Sequence, residues 1–166
     1  LWINQGDGTF VETGEEAHFD ADTNLDYTDN YMYACWYESE GTAADPEPSV
    51  SCGGSFTSDY WTAGYDDQPA RLAGNTFTTA CGDIDNDGDN DLYSAEIVHD
   101  WAGNSADPTQ LLLNDGTGVF ERIDNATNGL ERRRARSGWN EGDLFSAFMD
   151  FDDDGWRDLE IGRAHV

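Results

Sequence analysis

Residues 83–93 read DIDNDGDNDLY and residues 150–160 read DFDDDGWRDLE. Both fit D-x-D-x-D-G-x-x-D-L, and each follows an apolar stretch, FTTACG (77–82) and LFSAFM (144–149). The first loop places Asp83, Asp85, Asp87, Asp89 and Asp91 within nine residues. Carboxylates so closely spaced repel one another, so a folded chain that keeps them together needs something to neutralise them.

A second pair of related segments frames these loops. LWINQGDGTFVE (1–12) and LLLNDGTGVFER (111–122) each run from apolar residues through Asn and a Gly/Asp cluster to a Phe. Gly and Asp supply turn residues with positive φ, so each segment reads as a β-hairpin. The order is then strand, Asp loop, strand, followed by strand, Gly turn, strand. One complete unit is present, with strands predicted at 76–83, 91–98, 109–114 and 119–123. Four short antiparallel strands with internal recurrence describe a propeller blade. The expected fold class is all-β: an incomplete β-propeller of four-stranded antiparallel blades with Asp loops. Residues 1–18 read as the outer hairpin of a preceding blade and 75–124 as the complete blade. Residues 125–160 read as a connection and the start of the next. Between them, 19–74 form a long irregular insertion rich in aromatics, including Tyr31, Tyr33, Trp36, Tyr37, Phe56, Tyr60, Trp61 and Tyr65. Loops of that length are usually functional or flexible.

As the chain curls, the first, third and fifth side chains of each Asp loop converge, and Gly88 or Gly155 allows the sharp turn. Hard oxygen ligands in a flexible loop suit Ca²⁺, which takes six to eight oxygens at about 2.3–2.6 Å, whereas Mg²⁺ demands a stricter octahedron. The expected ligands of a first Ca²⁺ are Asp83, Asp85, Asp87 and Asp91 with the carbonyl of Asp89. Those of a second are Asp150, Asp152, Asp154 and Asp158 with the carbonyl of Trp156. An EF-hand needs Glu at position 12, where these loops carry Ser94 and Ile161. Thrombospondin-type and dockerin-type loops, which also place a ligand near position 12, fail in the same way. DADTNLD (20–26) has Leu25 where Gly should stand, and reads as a solvated acidic loop.

The combination of GDIDNDGDNDLY (82–93) with LLLNDGTGVFE (111–121), and LWINQGDGTF (1–10) as a second copy of the latter, resembles the FG-GAP/VCBS repeat. That repeat is the blade unit of integrin-α-like β-propellers. The resemblance covers about residues 1–16 and 75–160 and leaves the insertion unexplained. It implies a Ca²⁺ ion in the hairpin between the first two strands of a blade. It also implies an extracellular or cell-surface protein used in adhesion and in carbohydrate or protein binding, completed by neighbouring blades of the same full-length chain.

Composition narrows the partners. The chain has 35 acidic residues against 8 basic ones, all Arg, for a formal charge of -27. Such a surface repels nucleic acid and anionic membranes. No apolar run approaches the roughly 18 residues of a membrane-spanning helix. Cys35 and Cys52 are expected to bridge, closing a loop of about 16 residues worth roughly 3 kcal/mol, while Cys81 in an apolar strand is expected to be a buried free thiol. ERRRAR (131–136) reads as a loop offsetting nearby carboxylates, and NAT (125–127) fits a glycosylation sequon. The final IGRAHV (161–166) can be encoded by a common sequencing-adapter read-through and is set apart as a non-native tail. His18, His99 and His165 show no ligand spacing, and no nucleophile elbow, phosphate loop, zinc signature or dinucleotide fingerprint is present. The sequence therefore reads as a Ca²⁺-binding adhesion or ligand-binding module without catalysis of its own. The alternative is the propeller domain of a secreted polysaccharide lyase or hydrolase.

Overall fold

The computed structural model describes residues 1–19, 24–72, 75–130 and 141–165. Its strands are short, apolar and bounded by Gly/Asp turns, and all pair antiparallel, giving an all-β chain with few helices. β1 (Trp2–Asn4) and β2 (Phe10–Glu12) make a separate two-stranded hairpin. The other six strands form one sheet. They are β3 (Asn75–Gly82), β4 (Asp91–Val98), β5 (Gln110–Asn114), β6 (Phe120–Ile123), β7 (Glu141–Met149) and β8 (Asp158–His165). β8 thus takes in residues 161–165, which the sequence reading set apart.

β4 organises the sheet. One edge pairs with β3 from Asp91 to Ile97, and the other holds β5 at Leu92–Ser94 and β7 at Ile97 and Val98. β3 to β6 are thus a four-stranded antiparallel meander with the expected strand order. Among the described residues no sheet closes on itself. The β4–β7 crossing depends on Gly142, where a Cβ would collide with the Glu96 carbonyl oxygen and the Ile97 Cα.

Two small cores are buried among the described residues, one against the sheet and one within the insertion. In the first, Leu112 and Phe120 bury against Ala17, with Leu1, Phe19 and Leu92 at its margin. The Phe120 N–H donates to the Ala17 carbonyl at 2.9 Å, tying the segment after β2 onto the β5–β6 hairpin.

The second core lies within the insertion. Asn30 starts a helix, α1 (Tyr31–Glu40), by accepting the Met32 and Tyr33 N–H groups on its side chain at 2.8 and 3.4 Å. Tyr33, Trp61 and Leu72 bury there, packed by Tyr27, Met32, Trp36 and Tyr37. Ring centroids lie 4.8 Å apart for Tyr27–Tyr33 and 5.2 Å for Tyr33–Trp61, within the range of favourable aromatic pairs. Burial pushes the Tyr33 hydroxyl up to about 12, and it donates to the Pro46 carbonyl. These aromatics hold the insertion together, so they do not form one outward surface; Tyr60 and Tyr65 remain exposed.

The Cys35–Cys52 disulfide is formed and clamps α1 to the loop after it. Such a bridge is compatible with an oxidising, extracellular setting, and among the described residues no helix is long and apolar enough to cross a membrane. Cys81 departs from expectation: it is a free, exposed thiol. Among the described residues β3 pairs only with β4 and its outer face is uncovered, so Phe77, Thr79 and Cys81 all point to solvent.

Alternation puts Tyr93, Ala95 and Ile97 on one face of β4 and Ser94 and Glu96 on the other, yet all five are buried. Polar partners make this tolerable. Glu96 Oε1 accepts from the Thr76 and Ser94 hydroxyls at 2.6 and 2.7 Å. Asp143 Oδ2, on β7, accepts from Tyr93 at 2.9 Å and Thr109 at 2.8 Å.

Replacing Cys35 and Cys52 by Ala should cost about 3 kcal/mol. The loss is read as a lower melting temperature with a weakened near-ultraviolet signal from the Tyr33–Trp61 core; an unchanged midpoint would contradict the clamp. A second prediction concerns pH. Burial, then the charge of Asp107, raises the Glu96 carboxyl above its ordinary value despite the Thr76 and Ser94 hydroxyls and Arg122, which pull it down. A raised folded-state pKa means that its contribution is complete below the unfolded value and is lost as pH rises through the folded one. Glu96→Gln should therefore gain in melting temperature relative to the parent as pH rises from the acid range to neutral. A pH-independent difference would count against this assignment.

Candidate metal centre

Each Asp loop closes a strand pair, β3 to β4 at Gly82 opposite Asp91, and β7 to β8 at Met149 opposite Asp158. Inside the loops most of the bonding repeats residue for residue, the Asp87 N–H of the first loop donating in addition to Asp85 Oδ1 at 3.3 Å. Asp83 accepts the Asp87 and Gly88 N–H groups, each at 3.1 Å, and Asp150 accepts those of Asp154 and Gly155 at 3.0 and 2.9 Å. Asp87 accepts from the Asp89 N–H at 3.0 Å, as Asp154 does from Trp156 at 2.8 Å. Asp91 and Asp158 reach back to the Ile84 and Phe151 N–H groups, both at 2.8 Å. Asn86 and Asp153 take φ of 62° and 60°, and Gly88 and Gly155 take 101° and 92°. Asn and Asp tolerate the left-handed region, and the sixth position favours Gly.

The outcome is two carboxylate clusters. Asp83, Asp85 and Asp91 each bring an oxygen within 4.8 Å of the others, and so do Asp150, Asp152 and Asp158. A cation bound at about 2.3–2.6 Å sits naturally between oxygens up to about 5 Å apart, so each cluster can hold a metal ion. In the loop, desolvation and then the charges of Asp87, Asp91 and Asp83 hold the Asp85 carboxyl above its ordinary value. Desolvation and the charges of Asp87, Asp83, Asp91 and Asp115 do the same for Asp89. The ion pair found among the described residues, between the Leu1 amino group and Glu12 at 3.5 Å, lies outside both loops.

Two of the expected side-chain ligands, Asp87 and Asp154, lie outside the three-residue clusters, whereas Asp89 and Trp156 were expected to act through their backbone carbonyls. The Asp87 and Asp154 side chains cap the turn, the Asp89 carboxylate lies against Gly116 of the β5–β6 turn, and the Trp156 side chain is exposed. The sequence reading missed Asn114. Its N–H donates to Asp91 Oδ1 at 2.9 Å and its side chain to the Asn90 carbonyl at 3.2 Å, so β5 anchors the first loop from outside. The signal was present, because Asn4 and Asn114 hold the same place in the two hairpins. Asp91 is consequently fully buried, while Asp158 is exposed.

Residues 20–23 of DADTNLD and all of ERRRAR lie outside the described residues. Asp26, the last residue of DADTNLD, caps Thr28 instead, and the Thr28 hydroxyl and N–H hold its carboxyl below the usual range. In the NAT sequon the Asn125 amide donates to the Thr109 carbonyl at 2.6 Å. No family model matches the chain, and neither the curated proteins nor the solved structures contain a significant match to it.

Asp91→Ala and Asp158→Ala relieve comparable charge repulsion in the absence of metal, but the first also strands the Asn114 N–H. Leaving this half-buried donor unsatisfied costs about 1 kcal/mol, the low end for a stranded donor. In excess chelator, denaturant unfolding should show Asp91→Ala less stable than Asp158→Ala by about that amount; equal stabilities would contradict the anchoring role of β5.

Proposed function

We propose that this chain is a Ca²⁺-stabilised, propeller-type binding module whose β3–β6 meander is one FG-GAP/VCBS-like blade. The observation that carries the reading is the pair of Asp loops. They share most of their internal hydrogen bonds and the same backbone turns, and each gathers three carboxylates around an ion-sized gap. All donors are hard oxygens in a loop without imidazole or thiolate, which favours Ca²⁺ over softer transition metals. The ion acts structurally. It cancels the repulsion, fixes the β3–β4 and β7–β8 hairpins, and holds the neighbouring loops in place for a ligand.

The setting is extracellular or cell-surface, supported by the Cys35–Cys52 bridge and the acidic surface. The ligand is a carbohydrate or a protein. The rim of the insertion offers it exposed Tyr60 beside Phe56, at 5.9 Å between ring centroids, with Trp101 at 6.0 Å from Phe56. Such rings stack on sugars or anchor interfaces.

Calorimetric titration of the chelator-treated chain tests the reading. Two Ca²⁺ ions should bind per chain, with Mg²⁺ much weaker. Asp85→Asn or Asp152→Asn should each remove one ion. At about a hundredfold excess over Kd, Ca²⁺ should add about 2.7 kcal/mol of stability per site. No binding heat and no shift in melting temperature would sink the proposal.

A further inference from the structure

The face of the meander that carries Ser94 and Glu96 buries two oxygens without a donor. Glu96 is 6% exposed and Gln110 is 7% exposed. The Thr76 and Ser94 hydroxyls both donate to Glu96 Oε1, at 2.6 and 2.7 Å. Glu96 Oε2 is buried and accepts from no protein group, and the same holds for Gln110 Oε1. Buried acceptors left in this condition are costly.

The strand register brings both side chains to one place. Gln110 on β5 stands directly opposite Ser94 on β4, and opposite residues share a face with Cβ atoms about 4.5–5.5 Å apart. The Ser94–Glu96 bond turns the Glu96 carboxylate back along β4 towards that pair. Leu112 lies two residues beyond Gln110, so Arg122, opposite Leu112 on β6, occupies the same face. Arg122 Nη2 donates to the Phe19 carbonyl at 3.1 Å, and its Nε is buried without an acceptor. The positive charge of Arg122 acts on Glu96, as does the negative charge of Asp107.

Glu96 Oε2 and Gln110 Oε1 cannot bond to each other, because both are acceptors. Whatever joins them brings two donors. The carboxylate triads found among the described residues both belong to the Asp loops, and Arg122 already sets a positive charge against Glu96. The place therefore calls for a neutral double donor rather than a divalent cation, and water is that donor.

We propose that the meander holds an internal water molecule between β4, β5 and β6, donating to Glu96 Oε2 and Gln110 Oε1 and accepting from Arg122 Nε–H. About three such bonds are what a buried water ordinarily makes. The water ties three strands through their side chains, where the backbone ladder joins them only in pairs. It does on this face what the Tyr93 and Thr109 hydroxyls do for Asp143 on the other. The site stands independently of the metal reading, because none of its residues lies in an Asp loop.

Two measurements on the full chain test the site. A crystal structure fine enough to tell amide nitrogen from oxygen should show a single water about 2.7–3.2 Å from Glu96 Oε2, Gln110 Oε1 and Arg122 Nε. In solution, oxygen-17 magnetic relaxation dispersion counts long-lived internal waters. Gln110→Leu removes one acceptor, so the dispersion amplitude should fall by one water per chain. Waters bound to a metal in the Asp loops are common to both proteins and cancel. A Gln110 amide turned to donate straight to Glu96 Oε2, with no water between, overturns the proposal. So does a peak ringed by six or more oxygens at about 2.3–2.6 Å, which is a cation, or an amplitude that Gln110→Leu leaves unchanged. If Gln110→Leu does not fold, the crystal structure of the parent decides alone.

Discussion

The structure turns on the repulsion among carboxylates that the sequence forces into two tight loops. Backbone N–H groups offset part of it: the first and last Asp of each loop accept main-chain bonds that fix the turn. Those bonds leave three carboxylates per loop facing one another, with no ion pair to them found among the described residues. Each cluster could hold a metal ion, and under the proposed function that ion is the neutraliser. The loop then becomes the rivet of its hairpin, because its last Asp is also the first residue of the following strand.

From the rivet the order propagates through β4. This strand receives β3, β5 and β7, and buries both faces. Burying Glu96 and bringing Asp143 beside Tyr93 is costly unless hydroxyls meet the carboxylates, and Thr76, Ser94, Tyr93 and Thr109 supply them. The two apolar cores are small, so loop, polar cluster and disulfide carry much of the specification of this chain.

Much of this was legible in the sequence because the signals were local. D-x-D-x-D-G-x-x-D places its ligands and its turn within nine residues, and N-x-G-x-G fixes the hairpins. The strand limits accordingly fall within one or two residues of expectation at 75–82, 91–98, 110–114 and 120–123. What depends on long-range covering was not legible. Cys81 and Glu96 show this in opposite senses: an apolar strand left Cys81 uncovered, and an alternating one buried Glu96. α1 was hidden because YMYACWYESE carries rings around most of the helix, without an apolar stripe to mark it. The inward packing of Tyr33 and Trp61 depends on Tyr27 and Leu72, distant in sequence. Within the site, the three carboxylates of each cluster lay among the expected ligands, while the role of Asn114 was marked only by its repeat of Asn4, and its bond to Asp91 depends on β5 pairing with β4.

The central claim is that these loops exist to hold a cation, and a crystal of the chain grown with Ca²⁺ tests it most directly through anomalous scattering. Two peaks are predicted, one bounded by Asp83, Asp85 and Asp91 and the other by Asp150, Asp152 and Asp158, each with six or more oxygens at about 2.3–2.6 Å. Well-ordered loops with these carboxylates converging on no anomalous peak would contradict the account.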